Sequence, residues 1–138
     1  MITLLTVFFA ALIIVCAAFL IVHARIFKLY FLAEDAAEEL DSFILERMDK
    51  LVEISGDENI VSFCEAHFDL MRGELFLANE ELEKILNEKN FCDVIKELTE
   101  LIDEAAEGYR EAALAYNEMI SSGPGRIIAR MFAMKPEH

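Results

Sequence analysis

The run Ile2–Val22, ITLLTVFFAALIIVCAAFLIV, is 21 residues without a charge, and it constrains this chain more than any other feature. At about 1.5 Å per helical residue it covers roughly 30 Å, the hydrocarbon thickness of a bilayer. A cleaved signal peptide would show a basic leading segment, a shorter apolar core and a small-x-small cleavage site. No Lys or Arg precedes this run, and it is too long. The pattern therefore predicts a retained transmembrane anchor over residues 1–24. A lipidated Cys16 fails as a reading, because Ile14 and Val15 stand where small residues would be needed.

Charge is segregated from that run. All 26 acidic residues lie at or after Glu34, and between Glu34 and Met119 there are 25 acidic and 7 basic residues, a net of −18. Arg25 and Lys28 follow the apolar run while only the α-amino group precedes it. The positive-inside rule then sets the N-terminus outside and the following domain in the cytoplasm of a single-pass cell-membrane protein. The opposite orientation stays open, because a long domain can be translocated despite a two-charge bias. Cys16, Cys64 and Cys92 form no disulfide pattern, which agrees with a reducing compartment. The acidic surface repels nucleic acid and the anionic inner leaflet. It suits either a plain solvated face or the recruitment of basic protein segments.

Beyond the anchor, apolar residues recur at helical spacing, and no stretch alternates with period two, so the expected class is all-α. One stripe runs Leu29, Leu32, Ala36, Leu40, Phe43, Ile44, Leu51 and Ile54 and ends at Ser55-Gly56-Asp57. A second runs Ile60, Phe63, Cys64, His67, Leu70, Met71, Ala78, Leu82 and Ile85 and ends near Asn87–Asn90. The third, Phe91, Ile95, Leu98, Ile102, Ala105, Tyr109, Ala112, Tyr116 and Met119, keeps heptad spacing like a coiled coil, with Asn90 as its expected N-cap. Three helices joined by short loops predict an antiparallel up-down-up bundle over residues 25–122, the first helix continuous with the anchor. A short C-terminal amphipathic helix is expected over residues 123–138, and three passes would leave it at the membrane-distal end. Self-association through exposed apolar residues is compatible with this arrangement.

That C-terminal segment has two readings. Arg126, Arg130 and Lys135 interleave with Ile127, Ile128, Met131, Phe132 and Met134, as in an interfacial helix on anionic lipid. Alternatively Ile127, Ile128, Met131 and Phe132 fold back over the open end of the bundle, and the distal position favours this second reading.

Chemistry-bearing clusters are few. Phe63–Asp69, FCEAHFD, is where Cys, His and carboxylates meet, and Cys64 with His67 three residues on makes a metal-binding or metal-sensing bundle the alternative function. A carboxylate-bridged site would want Glu-x-x-His on two helices, and Cys64 takes the Glu position, so Cys64 and His67 read first as members of an apolar stripe. Cys64 and Cys92 are expected at opposite ends of the bundle. There is no Gly-x-Ser-x-Gly turn and no phosphate-cradling glycine loop, so no catalytic residue, cofactor or enzymatic activity is expected.

In the last third the residues YREAALAYNEMISSGPGRIIARMFAMKP resemble the C-terminal signature of the LemA family. There a helix with two Tyr-Asn pairs seven apart runs into a Pro-containing turn and an Ala-x-x-Phe-x-x-Lys-Pro tail. Tyr109, Tyr116 and Asn117 match the pairs, Pro124 the turn, and Ala129, Phe132, Lys135 and Pro136 the tail. Upstream, Leu40, Asp41, Ile44, Arg47 and Asp49 resemble the first-helix pattern. Arg110 replaces the first Asn, Val52 stands where Pro is usual, Gly123 replaces an aromatic, and Ala133 and Met134 replace Gly and Phe. The resemblance implies a bacterial-type, single-pass membrane protein with a soluble helical bundle and no enzymatic activity. Together with the acidic surface it points to a scaffold or adaptor whose partners are the membrane and basic proteins.

Overall fold

The computed structural model describes residues 1–89 and 91–137. Among the described residues every regular element is a helix and there is no strand: α1 (Ile2–Ile54), α2 (Glu58–His67), α3 (Arg72–Asn87), α4 (Asp93–Ser121) and α5 (Gly123–Met131). The fold is all-α. Of these helices α1 is long and apolar enough to cross a membrane, with a mean hydropathy of 3.0 over its most apolar window and none of that window buried within the chain. Asn90, expected as an N-cap, lies outside the described residues.

The chain divides into two compact units, Asp35–Tyr109 on one hand and Met1–Glu34 with Arg110–His138 on the other. In the Asp35–Tyr109 unit, α1 ends at Ile54 and Asp57 caps α2, its side chain accepting the Asn59 N–H at 2.9 Å. Buried Leu40, Ile44, Met48 and Leu51 of α1 share this unit with Ile60 and Cys64 of α2, Leu75, Ala78, Leu82 and Leu86 of α3, and Ile95, Leu98, Ile102 and Tyr109 of α4.

The second apolar stripe is not one helix. It breaks at Phe68–Met71 into α2 and α3, so the expected three-helix bundle becomes four passes in this unit. Polar contacts give the directions. Arg72 reaches Asp41 while Arg47 reaches Asn79 and Glu83, so α3 runs parallel to α1. Lys89, after α3, pairs with Asp57, before α2, and Phe76 of α3 meets Tyr109 of α4 with ring centroids 5.7 Å apart. The order is up-down-up-down.

Periodicity hides this break. Ile60, Cys64, Leu75, Ala78, Leu82 and Leu86 stay in phase with a single 3.6-residue stripe, and neither Gly nor Pro occupies Phe68–Met71. The local cause is visible once the chain is folded. Met71 takes φ −68° and ψ 157°, an extended conformation that ends the helical run and leaves it 82% exposed, while in the last turn of α2 His67 holds the Phe63 carbonyl through Nδ1 at 2.6 Å and stacks on the Phe63 ring.

The other unit is built on the start of α1, the end of α4, and α5 with the residues after it. Its buried cluster is Ile26, Tyr116, Ile120, Ile128 and Ala129, flanked by Phe19, Val22, Leu29, Tyr30, Met119 and Met134. The C-terminal helix is therefore not at the far end of a bundle. It packs on α1 at Phe19–Tyr30, beside the end of the apolar run, because an even number of passes returns the chain towards its start where three would have carried it away.

Candidate functional site

The sequence around Pro124 folds locally for three reasons. Gly123 takes φ +53°, a left-handed conformation that separates α4 from α5 without the Cβ penalty, and Pro124 then sits in the first turn of α5, where its missing N–H costs nothing. Gly125 follows for a different reason. A Cβ there would lie 1.9 Å from the Met119 carbonyl oxygen, so only glycine lets α5 approach α4 this closely. Then Ile128 and Ala129 turn inward while Arg126, Ile127, Arg130 and Met131 face out.

The far end of α5 closes by a Schellman motif. Met134 N–H donates to the Ala129 carbonyl at 2.9 Å and Ala133 N–H to the Arg130 carbonyl at 3.4 Å, with Ala133 at φ +51°. Met134 also packs onto the cluster that holds Ala129. Beyond it the chain is clipped to α4 by two neighbours. Tyr116 donates its hydroxyl to the Lys135 carbonyl at 3.0 Å, and Asn117 pairs with Glu137 in both directions, Nδ2 to the carbonyl and the Glu137 N–H to Oδ1, each 2.7 Å. The Tyr116 ring lies 5.7 Å from that of Tyr30, and burial, then the Glu137 carboxylate, then Tyr30 push its phenol above the ordinary range.

Beside the clip is a recess of about 450 Å³ whose wall includes Phe27, Tyr30, Tyr116, Phe132 and Pro136. Aromatic contacts continue along α1, where His23 lies 4.7 Å from Phe27 and 4.9 Å from Phe132 between ring centroids. Phe132 is nevertheless 51% exposed, and Ile127 and Met131 are more so, so of the four residues expected to cover the bundle Ile128 alone is buried.

In the Asp35–Tyr109 unit the focus is Arg47, which is fully buried. Its Nη1 donates to Glu83 Oε1 at 2.6 Å and to Thr99 Oγ1 at 3.0 Å, and its Nη2 to Asn79 Oδ1. Thr99 in turn donates to the Ile95 carbonyl at 2.9 Å. One guanidinium thus ties α1 to α3 and α4. Asp41 accepts from Arg72 Nε at 3.2 Å, while its Oδ1 and the Nε of Arg47 are buried with no hydrogen-bond partner among the described residues.

The residues singled out in the sequence therefore fall into two sets. Tyr116, Asn117, Pro124, Ala129, Phe132, Lys135 and Pro136 belong to the unit of Met1–Glu34 and Arg110–His138, whereas Asp41, Arg47 and Tyr109 belong to the other. Sequence reasoning missed Asn79, Glu83 and Thr99 as partners, and Gly125 as a contact point. A signal for Arg47 existed, since it stands between Ile44 and Leu51 at steps of three and four, where an arginine must find acceptors on neighbouring helices.

Cys64 and His67 form no ligand set, and among the described residues no three His, Cys, Asp or Glu side chains gather as a metal site. Burial pushes the Cys64 thiol up to about 11, which keeps it protonated and unreactive at neutral pH. Cys92 is exposed and lines a surface recess with Ile60, one turn of α2 from Cys64, so the two thiols share an end of the unit rather than opposing ends. The reason is again the extra pass supplied by α3.

What this arrangement offers chemically is binding surface: an acidic four-helix unit, and a cationic, aromatic C-terminal element. Compared with protein-family models, with curated proteins and with solved structures, the chain matches none of them.

Proposed function

We propose that the chain is a single-pass, membrane-anchored helical-bundle protein of the LemA type that serves as a non-catalytic scaffold or adaptor. The observation that carries this reading is the join within α1, where a charge-free run with no buried residue continues without interruption into a strongly acidic helical unit. A helix apolar on every side wants lipid, and one apolar on a single stripe wants a bundle. Tyr116 and Asn117 hold the tail against α4 through the backbone of Lys135 and Glu137. The bundle is on the cytoplasmic side and the N-terminus outside. Arg126 and Arg130 of the α5 that packs beside the end of the run add to Arg25 and Lys28 on that flank. The acidic unit recruits basic segments of other proteins.

Thiol labelling in intact cells expressing the Cys16→Ala chain tests the topology. Cys64 stays silent while the unit is folded, so a membrane-impermeant reagent reports Cys92. Protection in whole cells with labelling after lysis is the expected result, and labelling in whole cells overturns the orientation. The adaptor role is tested separately: affinity capture of the full chain from detergent extract should enrich basic proteins in a salt-sensitive way, and repeated failure to do so removes it.

A further inference from the structure

The exposed half of α5 has a definite layout. Ile127 and Met131, 63% and 65% exposed, form one i, i+4 pair, and Arg126 and Arg130 form an adjacent exposed pair. The opposite face of the same helix is already used, through Gly125, Ile128 and Ala129. The helix is seated on α1 at a defined depth. Phe132 lies against His23, and Ile128 and Ala129 share a cluster with Ile26. Ile26 is four residues past Val22, about 6 Å of helix rise beyond the end of the apolar run. Cations surround this level, with Arg25, Lys28, Arg126, Arg130 and Lys135 all exposed, and no acid occurs between Glu118 and Glu137.

We infer that α5 is an interfacial helix that lies on the anionic lipid surface of the membrane entered by α1, with Ile127 and Met131 in the acyl boundary and Arg126 and Arg130 on headgroup phosphates. This rests on the anchor reading proposed above. Continuity selects the occupant, since the helix that carries the exposed apolar pair packs at the end of a charge-free run whose most apolar window has no buried residue. Charge selects the lipid class. An amphipathic helix with Arg on its polar side binds through buried apolar area together with attraction to anionic headgroups. The acidic four-helix unit would be repelled by the same surface, whereas the α5 segment carries no acid between Glu118 and Glu137. A 9-residue helix is too short to hold a membrane alone, and here its position is fixed by the Gly125 contact and the Tyr116 and Asn117 clip.

The chain contains no Trp, so single introduced tryptophans report cleanly. Full-length Met131→Trp, Leu12→Trp and Leu77→Trp proteins are reconstituted in brominated phosphatidylcholine vesicles with and without phosphatidylglycerol. Leu12 lies in the apolar run and Leu77 is exposed on α3. Leu12→Trp emission should be quenched in both vesicle types. Met131→Trp should be blue-shifted and strongly quenched with phosphatidylglycerol present, less so without it or after Arg126→Gln and Arg130→Gln, and Leu77→Trp should be unquenched. Ile127→Trp should behave as Met131→Trp and guards against a local folding defect. Quenched Leu12→Trp with Met131→Trp and Ile127→Trp unquenched overturns the inference and leaves the anchor standing. A blue shift at Met131→Trp without quenching assigns the face to a second copy of the chain and also overturns it. Quenching indifferent to phosphatidylglycerol and to the arginines removes the anionic selectivity, and an unquenched Leu12→Trp removes the anchor and the inference together.

Discussion

The two units of this molecule share helices α1 and α4 yet are held together by different physics. The Asp35–Tyr109 unit carries 6 Lys and Arg against 22 acids, a net of −16, and has a fully buried arginine bonded to polar partners on two other helices. The unit with both chain ends carries 6 Lys and Arg against 4 acids, a net of +2, and is built on aliphatic and aromatic contacts with a hydrogen-bonded tail. A buried ion pair fixes which helices meet, at a desolvation cost that apolar packing avoids. Close apolar packing with glycine contact fixes how near they come. The difference teaches that register in the acidic unit depends on one side chain, whereas docking of α5 depends on the absence of one.

The largest expected effect is therefore at Arg47. Arg47→Ala leaves Asn79 and Glu83 without their shared donor and opens a cavity, which should lower stability by about 3 to 5 kcal/mol, towards the low end because Glu83 is partly solvated. Arg47→Lys should recover little, since a single ammonium cannot reproduce the fork that reaches Glu83, Thr99 and Asn79. Denaturant unfolding of the detergent-solubilised chain measures both. Amide exchange should show the loss concentrated in α3 and the start of α4, and an even loss across both units would break the comparison.

Gly125→Ala is the matching experiment on the other unit. In an ordinary helix the change would stabilise by about 1 kcal/mol. Here the new Cβ meets a backbone oxygen, so α5 must move, at a cost of about 2 to 3 kcal/mol. The sign alone decides the question. Tryptic cleavage at Arg126 and Arg130 should accelerate while amide protection near Ile102 is unchanged.

How much of this was legible in the sequence follows from what periodicity can and cannot carry. The third stripe named Ile95, Leu98, Ile102, Tyr109 and Tyr116 correctly, but drifted to Ala112 and Met119 where Ala113 and Ile120 are buried, because a rigid heptad slips against a 3.6-residue helix. In the first stripe Leu32 proved exposed while Ala33, Ala37 and Met48 are buried, since small and flexible residues give little hydrophobic signal. The break at Phe68–Met71 was invisible, because both halves keep one phase and the turn lacks Gly and Pro. That omission misplaced α5, since the end at which a C-terminal element arrives depends only on whether the passes are odd or even. In the C-terminal segment the glycine, proline and Tyr-Asn chemistry is local, so its residues were marked; their hydrogen bonds to Lys135 and Glu137 required the fold.

A smaller effect sharpens the tail side of the comparison. Tyr116→Phe removes the hydroxyl that Lys135 accepts and should lower stability by about 1 kcal/mol at neutral pH. Because the folded phenol is raised above its ordinary value, the folded chain holds that proton longer than the unfolded chain does. The contribution is whole below about pH 10 and is lost as pH rises through the raised folded value. Unfolding midpoints of the two proteins should therefore converge in alkali, and a gap that widens above about pH 10 would place the tail elsewhere.

The smallest expected effect runs in the opposite direction. Ala133 occupies the left-handed residue of the Schellman motif at φ +51°. An L-residue with a Cβ is strained there by about 1 to 2 kcal/mol, and replacing it by glycine returns part of that gain to the greater freedom of the unfolded chain, about 0.4 to 1 kcal/mol. Ala133→Gly should thus stabilise by roughly 0.5 to 1 kcal/mol by the difference of those two quantities. Gly123→Ala, at φ +53° with open space around its Cβ, isolates the same backbone strain without any clash and should destabilise by a similar amount. Equal and opposite shifts in the unfolding midpoint would show that both ends of α5 are set by left-handed residues. If Ala133→Gly is neutral while Gly123→Ala destabilises, the C-terminal turn is held by the Met134 and Glu137 contacts rather than by its backbone conformation.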